Sequence, residues 1–241
     1  MKDRFEVLIL IARPAAGKSE VIDYLRRTPD AQRRERFHVG RFREIDDFPM
    51  LWAWFEEDRI LEQMGLPRLH TDGQEYFIRR ELWDVLIHRI VLDYRKLLAE
   101  DSRLHEHTTA IFEFSRGSEH GGYRSAFAAI ERDVLERSAV LGIDVSWAES
   151  LRKNRARFNP ARAHSILEHG LSDEKMARLY REVDWDELAA PDLQYLHLQG
   201  VRVPYALMPN EDDVTSGRGE PLGLRLEEAL GRLWSLWERR R

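Results

Sequence analysis

The stretch that decides the fold is residues 7–19, which read VLILIARPAAGKS. Its first residues are all apolar, as a strand covered on both faces of a sheet must be, and they predict a strand over 5–11. The pattern of residues 18–27 predicts an amphipathic helix that stops near Pro29. The stretch therefore predicts a buried strand, a tight loop and a helix in direct succession.

The loop between this strand and helix has the composition of a phosphate-binding loop. It fits the pattern G-x-x-x-x-G-K-S/T, except that Ala12 stands at the first glycine. In such a loop, backbone N–H groups and the helix N-terminus surround a phosphate, which Gly17 lets the backbone approach. Lys18 would reach the β- and γ-phosphates as a catalytic residue, and the Ser19 hydroxyl would bind Mg²⁺. The predicted nucleotide site comprises Ala12, Arg13, Pro14, Ala15, Ala16, Gly17, Lys18 and Ser19.

Two alanines in this loop add a backbone requirement. Ala15 and Ala16 stand where many such loops carry glycine. Because a side chain disfavours positive φ, the sequence predicts that the backbone avoids positive φ at both positions.

The composition narrows the class of protein. The 241 residues carry a formal net charge of −5 and no cysteine. The charge argues against nucleic acid as a partner, and the missing cysteines exclude disulfides and thiolate metal sites. The longest apolar run, 7–12, is far shorter than the about 20 residues of a membrane helix. Residues 1–4 lack the features of a signal peptide, so we expect a cytoplasmic protein without a membrane partner. The sequence does not predict the oligomeric state.

Strand-like runs alternate with longer helical patterns along the chain. This alternation predicts a three-layer α/β fold with a mostly parallel, five-stranded sheet. The strands are predicted at 5–11, 37–42, 108–114, 139–145 and 201–208, and the principal helices at 18–27, 48–64, 74–100 and 123–138. Asp72, with Glu75 three residues later, predicts a capping box at the start of the helix 74–100. We interpret residues 1–241 as a single domain with a helical substrate region at about 48–105 and a lid or insertion at about 147–191.

The chain resembles the P-loop kinases, the group that contains nucleoside, nucleotide and small-metabolite kinases. Besides the 12–19 loop, three segments carry the resemblance: EIDDF at 44–48, AIFEFSRG at 110–117 and SLRKNRAR at 150–157. The resemblance implies a P-loop NTPase fold with a helical lid. It also implies ATP as the phosphoryl donor, Mg²⁺ as the cofactor and a small molecule as the acceptor.

The segment 44–48 is similar to the acidic motif of uridine kinases and nicotinamide riboside kinases. In that family the acid accepts the proton of the substrate hydroxyl or helps to hold the metal. The resemblance implies that Asp46 is the catalytic base, with Asp47 and Glu44 as alternatives that would otherwise contact the substrate. A carboxylate at the carboxyl end of a strand beside the loop is well placed to accept the proton or to hold the metal. The alternative interpretation of 44–48 is an acidic turn exposed to solvent.

The segment 110–117 resembles a Walker B element followed by a substrate contact. The resemblance implies that Glu113 binds Mg²⁺ through water or contacts the acceptor. Arg116 resembles the arginine of the acid-Arg-Ser motif of deoxynucleoside kinases, although the order and spacing of the motif residues differ in this sequence. The resemblance implies that Arg116 binds the substrate. The alternative for Glu113 is a strand-end charge that faces water. An acid inside an apolar run disfavours it, because an unpaired buried charge is costly.

The helix after the fourth predicted strand begins with a capping box, Ser146 and Glu149. Arg152 and Arg155 share one face of this helix. Its position resembles the lid of nucleoside and nucleotide kinases, which implies that both arginines are catalytic and clamp the donor phosphates. A solvated basic helix is the alternative. The resemblance also implies that Asn210, after the last strand, lies against the adenine.

The 12–19 loop and the resemblance together imply an ATP-dependent phosphotransferase that moves the γ-phosphoryl group to a small molecule, with a nucleoside or nucleotide as first choice. Two alternatives stay open. One is a nucleotide-binding regulatory NTPase without a small-molecule acceptor, and the other is a kinase that acts on a macromolecule. The sequence does not distinguish ATP from GTP.

Overall fold

The computed structural model describes residues 3–157 and 171–240, which surround one six-stranded sheet. Its strands are β1 (Val7–Ala12), β2 (Arg41–Asp46), β3 (Thr108–Phe114), β4 (Ser138–Asp144), β5 (Tyr195–Leu198) and β6 (Val201–Pro209). They lie in the order β2-β3-β1-β4-β6-β5. Neighbouring strands run parallel, apart from the antiparallel pair of β5 and β6. The predicted α/β class with a mostly parallel sheet is confirmed.

The prediction of five strands is wrong, because a short hairpin adds a sixth at one edge of the sheet. Strands β5 and β6 are joined by Gln199 and Gly200, which both have positive φ, 51° and 78°. Two such residues in a row form a turn whose twist matches that of antiparallel strands. β5 has only four residues, too few to stand out by hydrophobic pattern alone.

Helices cover both faces of this sheet. They are α1 (Lys18–Arg27), α2 (Asp30–Phe37), α3 (Phe48–Gln63), α4 (Leu82–Glu100), α5 (Gly122–Ala128), α6 (Arg132–Leu135), α7 (Trp147–Arg157), α8 (Asp173–Tyr180), α9 (Trp185–Ala189), α10 (Val214–Gly217) and α11 (Glu220–Arg240). The side chains of β1 alternate between two apolar clusters. One cluster contains residues of α1, α2 and α11, and the other contains residues of α4, α5, α6 and α9. Both layers are therefore anchored on the same central strand.

Several predicted boundaries are wrong for local reasons. Phe37 ends helix α2, so the second strand begins only at Arg41. The helix predicted from residue 74 begins at Leu82. The predicted cap, Asp72, instead closes a turn by accepting hydrogen bonds from the N–H groups two and four residues later. The helix predicted at 123–138 is split into α5 and α6, and residue 138 already belongs to β4.

The region predicted to be helical, 48–105, contains α3, α4 and an irregular connection held by a buried acid. Asp58 in α3 is fully buried, and its carboxylate accepts hydrogen bonds from the N–H groups of residues 69–71 and from the Thr71 hydroxyl. Burial opposes ionisation of Asp58, but these hydrogen bonds outweigh it and lower its pKa. The connection is therefore fixed to α3 by one ionised side chain.

The predicted lid or insertion, 147–191, contains α7, α8 and α9. Its residues 158–170 lie outside the described part of the chain. Among the residues described, no helix combines the length and the apolar composition needed to cross a bilayer.

We expect the C-terminal helix to be a main source of stability. Leu230 in α11 is fully buried against the sheet, whereas Leu193 is 84% exposed. Leu230→Ala should lower the free energy of unfolding by about 2–5 kcal/mol, because it removes apolar contacts and leaves a cavity. Leu193→Ala, the same change at an exposed position, should alter it by less than about 0.5 kcal/mol. Urea denaturation measures both, and equal effects would contradict this role for α11.

Candidate functional site

The carboxyl ends of three neighbouring strands bring the predicted site residues together. Glu113 lies next to the end of β3, the middle strand of the three, while Asp46 ends β2 on one side of it and the loop 12–19 follows β1 on the other. The register of the sheet pairs Asp46 with Glu113 and Glu113 with Leu10. Because parallel strands end at the same edge, the 12–19 loop lies directly beside the two acids.

The 12–19 loop turns sharply into α1. Gly17 precedes the first residue of the helix and has a left-handed backbone, φ 112°. A Cβ atom on Gly17 would lie 2.5 Å from the Thr215 hydroxyl oxygen, so only glycine fits there. Ala15 has φ 58°, which contradicts the prediction of a negative φ, whereas Ala16 is not among the residues with positive φ. A left-handed alanine costs about 1–2 kcal/mol, which the contacts around the loop must offset.

Those contacts come from four separate parts of the chain. Three carbonyl groups of the loop accept hydrogen bonds from distant side chains: Ala12 from Tyr123 at 3.1 Å, Pro14 from Ser150 at 2.8 Å, and Ala16 from Asn210 at 2.9 Å. Arg13 donates outward to the carbonyl oxygens of Tyr180 and Arg181, the latter at 2.8 Å, at the end of α8. The loop conformation is thus set by tertiary contacts as well as by its own sequence.

Asn210 braces this loop from the end of β6. It is fully buried, and its amide nitrogen donates to Ala16 and to the Thr215 hydroxyl, 2.8 Å away. Its amide oxygen accepts from the N–H of Thr215 at 3.3 Å. The buried Lys153 of α7 extends this network, with its ammonium 3.0 Å from the Thr215 hydroxyl and 2.5 Å from an Asp213 carboxylate oxygen. Neither residue was predicted: only Arg152 and Arg155 were chosen from the 150–157 segment that contains Lys153, and Thr215 belongs to no motif.

Three carboxylates form an acidic cluster beside the loop. One oxygen from each of Glu44, Asp46 and Glu113 lies within 4.8 Å of the others. Burial and the neighbouring carboxylates raise the pKa of Asp46 to about 8. Burial also raises the pKa of Glu113 to about 7, although Lys18 acts in the opposite direction. The cluster is short of positive charge, and its hard oxygen donors are of the kind that binds Mg²⁺.

Lys18 connects the loop with this cluster. Its ammonium donates a hydrogen bond of 2.6 Å to the Ser115 hydroxyl and lies 3.8 Å from the nearer Glu113 oxygen. Ser19, the next residue, is exposed in the first turn of α1. Glu44, the outermost acid, is ion-paired at 2.5 Å with Arg26 in the last turn of the same helix.

The two predicted substrate contacts Asp47 and Arg116 bind each other. The Arg116 guanidinium is 2.6 Å from an Asp47 oxygen and also donates to the carbonyl oxygens of Ser115 and Trp83. Arg116 is only 2% exposed, and Asp47 is also buried. The pair therefore fixes the end of β3 to the start of α3.

The two arginines predicted to clamp phosphates are both ion-paired on the surface. Arg152 binds Glu149 at 2.6 Å and Asp213 at 2.9 Å, and Arg155 binds Asp173 of α8 at 2.6 Å. Two of these acids lie outside α7, and their contacts could not be read from the helix sequence. The arginine of α7 that reaches α1 is Arg157, whose partner is Glu20 at 2.6 Å, and it was not among the predicted site residues.

We compared the chain with models of known protein families and with curated protein sequences. No family model matches it, and no curated protein matches it either. What the chain does must therefore be inferred from its own residues.

Proposed function

We propose that the chain is an ATP-dependent phosphotransferase of the P-loop kinase type, which moves the γ-phosphoryl group to a small molecule, a nucleoside or nucleotide. One observation carries the proposal. Lys18 begins a helix that directly follows a buried strand, and its ammonium lies 3.8 Å from a carboxylate of the acidic cluster formed by Glu44, Asp46 and Glu113. A phosphate-binding loop beside a metal-binding acid is the arrangement that phosphoryl transfer requires. The lack of cysteine favours a cytoplasmic location.

The residues of the cluster fit Mg²⁺. Asp46 and Glu113 are largely shielded from water and their pKa values are raised, which indicates two acids without enough positive charge around them. Glu113 would hold the ion together with the Ser19 hydroxyl, while Glu44 already has Arg26 as a partner. Mg²⁺ would neutralise negative charge on the β- and γ-phosphates.

Groups of the protein would bind the donor phosphates, offset their charge and accept the proton of the acceptor. The N–H groups of the 12–19 loop and the N-terminus of α1 bind the donor phosphates, and Lys18 offsets their charge. Asp46 accepts the proton of the acceptor hydroxyl. Its raised pKa suits a base that acts near neutral pH, and the N–H of Phe48, 3.0 Å from one carboxylate oxygen, fixes its orientation.

Aromatic side chains favour a planar acceptor. Phe48 and Trp52 follow the acid in α3 with their ring centroids 5.9 Å apart, and Phe55 continues the row at 6.3 Å from Trp52. Such a row suits stacking with a nucleobase. Arg152 and Arg155 would clamp phosphates only after leaving their present carboxylate partners, and Asn210 would support the base site indirectly, by holding the loop.

The first test measures ADP release from Mg·ATP with a panel of nucleosides, nucleotides and sugars. We expect release that depends on one acceptor, and a loss of about 100-fold or more in Lys18→Met, because that variant lacks the cation that faces the phosphates. The matched control is Lys96→Met in α4, whose lysine is exposed and ion-paired with Asp93. Release without any acceptor would favour the regulatory NTPase. Full activity of Lys18→Met would contradict nucleotide chemistry at this loop.

The second test uses the raised pKa of Asp46. In the folded chain this acid keeps its proton up to about pH 8, whereas in the unfolded chain it loses it near pH 4. The stability that protonation contributes is therefore complete at low pH and is lost as the pH rises towards 8. In EDTA, Asp46→Asn should be more stable than the wild type by a margin that grows between pH 5 and pH 9, with a Tm gain of about 2–4 °C for each kcal/mol that the wild type loses over that range.

The control for this test is Asp186→Asn, a change at an exposed acid in α9. Any difference in Tm between Asp186→Asn and the wild type should be the same at pH 5 and at pH 9. An Asp46→Asn variant that is less stable at both pH values would mean that the carboxylate has a structural role.

A further inference from the structure

The Lys18 ammonium has one direct hydrogen-bond partner among the described residues, and it is not a carboxylate. The Ser115 hydroxyl oxygen lies 2.6 Å from it, whereas the nearer Glu113 oxygen lies 3.8 Å away. The second distance exceeds the range of a hydrogen bond. Both charged side chains are about nine-tenths shielded from water, so the gap between them is not filled by bulk solvent. The two groups therefore face each other without a direct hydrogen bond between them.

The backbone that follows Ser115 is fixed by two contacts. Its carbonyl oxygen accepts a hydrogen bond of 2.7 Å from the buried Arg116, which is itself bound to Asp47. Gly117, two residues after Ser115, lies against α8 so closely that a Cβ atom there would be 1.8 Å from the carbonyl oxygen of Leu179. The Ser115 hydroxyl is therefore held at a set position at the end of β3.

Without this hydroxyl, Lys18 and Glu113 would attract each other unopposed. The attraction between opposite charges grows as water is removed, and a charge-assisted hydrogen bond is stronger than a neutral one. A closed pair of Lys18 and Glu113 would take the lysine away from donor phosphates and the carboxylate away from a metal ion. Either loss would impair a site that needs both groups at the same time.

We propose that Ser115 is a positioning residue, whose hydroxyl holds the Lys18 ammonium away from Glu113 so that both remain available to a metal–nucleotide complex. This inference rests on the proposed function. It assigns a role to a residue that belongs to neither the loop nor the acidic cluster.

The test compares two variants of the same shape. Ser115→Thr keeps the hydroxyl and Ser115→Val lacks it, while Ser115→Ala removes it without adding bulk. Ser118→Ala is the matched control, because Ser118 is exposed in the turn that follows. Calorimetric titration of the nucleotide-free protein with Mn²⁺ measures the affinity of the metal site. ADP release at varied Mg²⁺ concentrations measures how much Mg²⁺ the reaction needs.

We expect Ser115→Val and Ser115→Ala to bind Mn²⁺ about 10-fold more weakly and to need correspondingly more Mg²⁺ for half-maximal ADP release. Ser115→Thr and Ser118→Ala should behave as the wild type does. Unchanged metal affinity in Ser115→Val and Ser115→Ala, with Lys18→Met inactive, would overturn the role of Ser115 and leave the proposed function intact. Equal weakening in Ser115→Thr and Ser115→Val would also overturn it, since shape and not the hydroxyl would then be responsible. An active Lys18→Met would remove the proposed function itself.

Discussion

The position of β1 between β3 and β4 is the constraint on which the rest of the structure depends. Every residue of β1 is buried, so its side chains must enter apolar layers on both faces, and helices have to cover each face. The same pairing sets where the chain leaves the sheet. Because β3 is the parallel neighbour of β1, Glu113 lies beside the 12–19 loop, and β2 then adds Asp46 in register. A sheet built for packing thus concentrates one lysine and several acids at one edge, where burial strengthens their interactions.

The loop at this edge is held by contacts from distant parts of the chain. Its carbonyl groups are bound from α5, α7 and the end of β6, which are more than a hundred residues away in sequence. Lys153 and Thr215 add a buried layer behind Gly17. Helix α7 therefore supports the loop from behind, through buried residues, while the arginines singled out by sequence, Arg152 and Arg155, pair with acids on its outer side.

The elements that could be predicted from sequence are those whose pattern is local. Strands β1, β3, β4 and β6 and helix α1 stand out because their apolar residues repeat within one element. Hairpin strand β5 was missed because four residues carry too little pattern, and the Asp72 turn was misread as a helix cap because both use the same residue types. The partners of Arg116 and Arg155 depend on long-range packing, which single-sequence patterns do not contain.

The left-handed alanine in the loop has a consequence for how the loop moves. At Ala15, φ 58°, a glycine would be unstrained and would leave the unfolded and partly opened loop with many more backbone conformations. The alanine strains the backbone locally, but it reduces the number of conformations open to the unfolded and partly opened loop. A ligand that bound to this loop would therefore cost little entropy in ordering it. The methyl group of Ala15 therefore adds to the rigidity that the distant side-chain contacts give the loop.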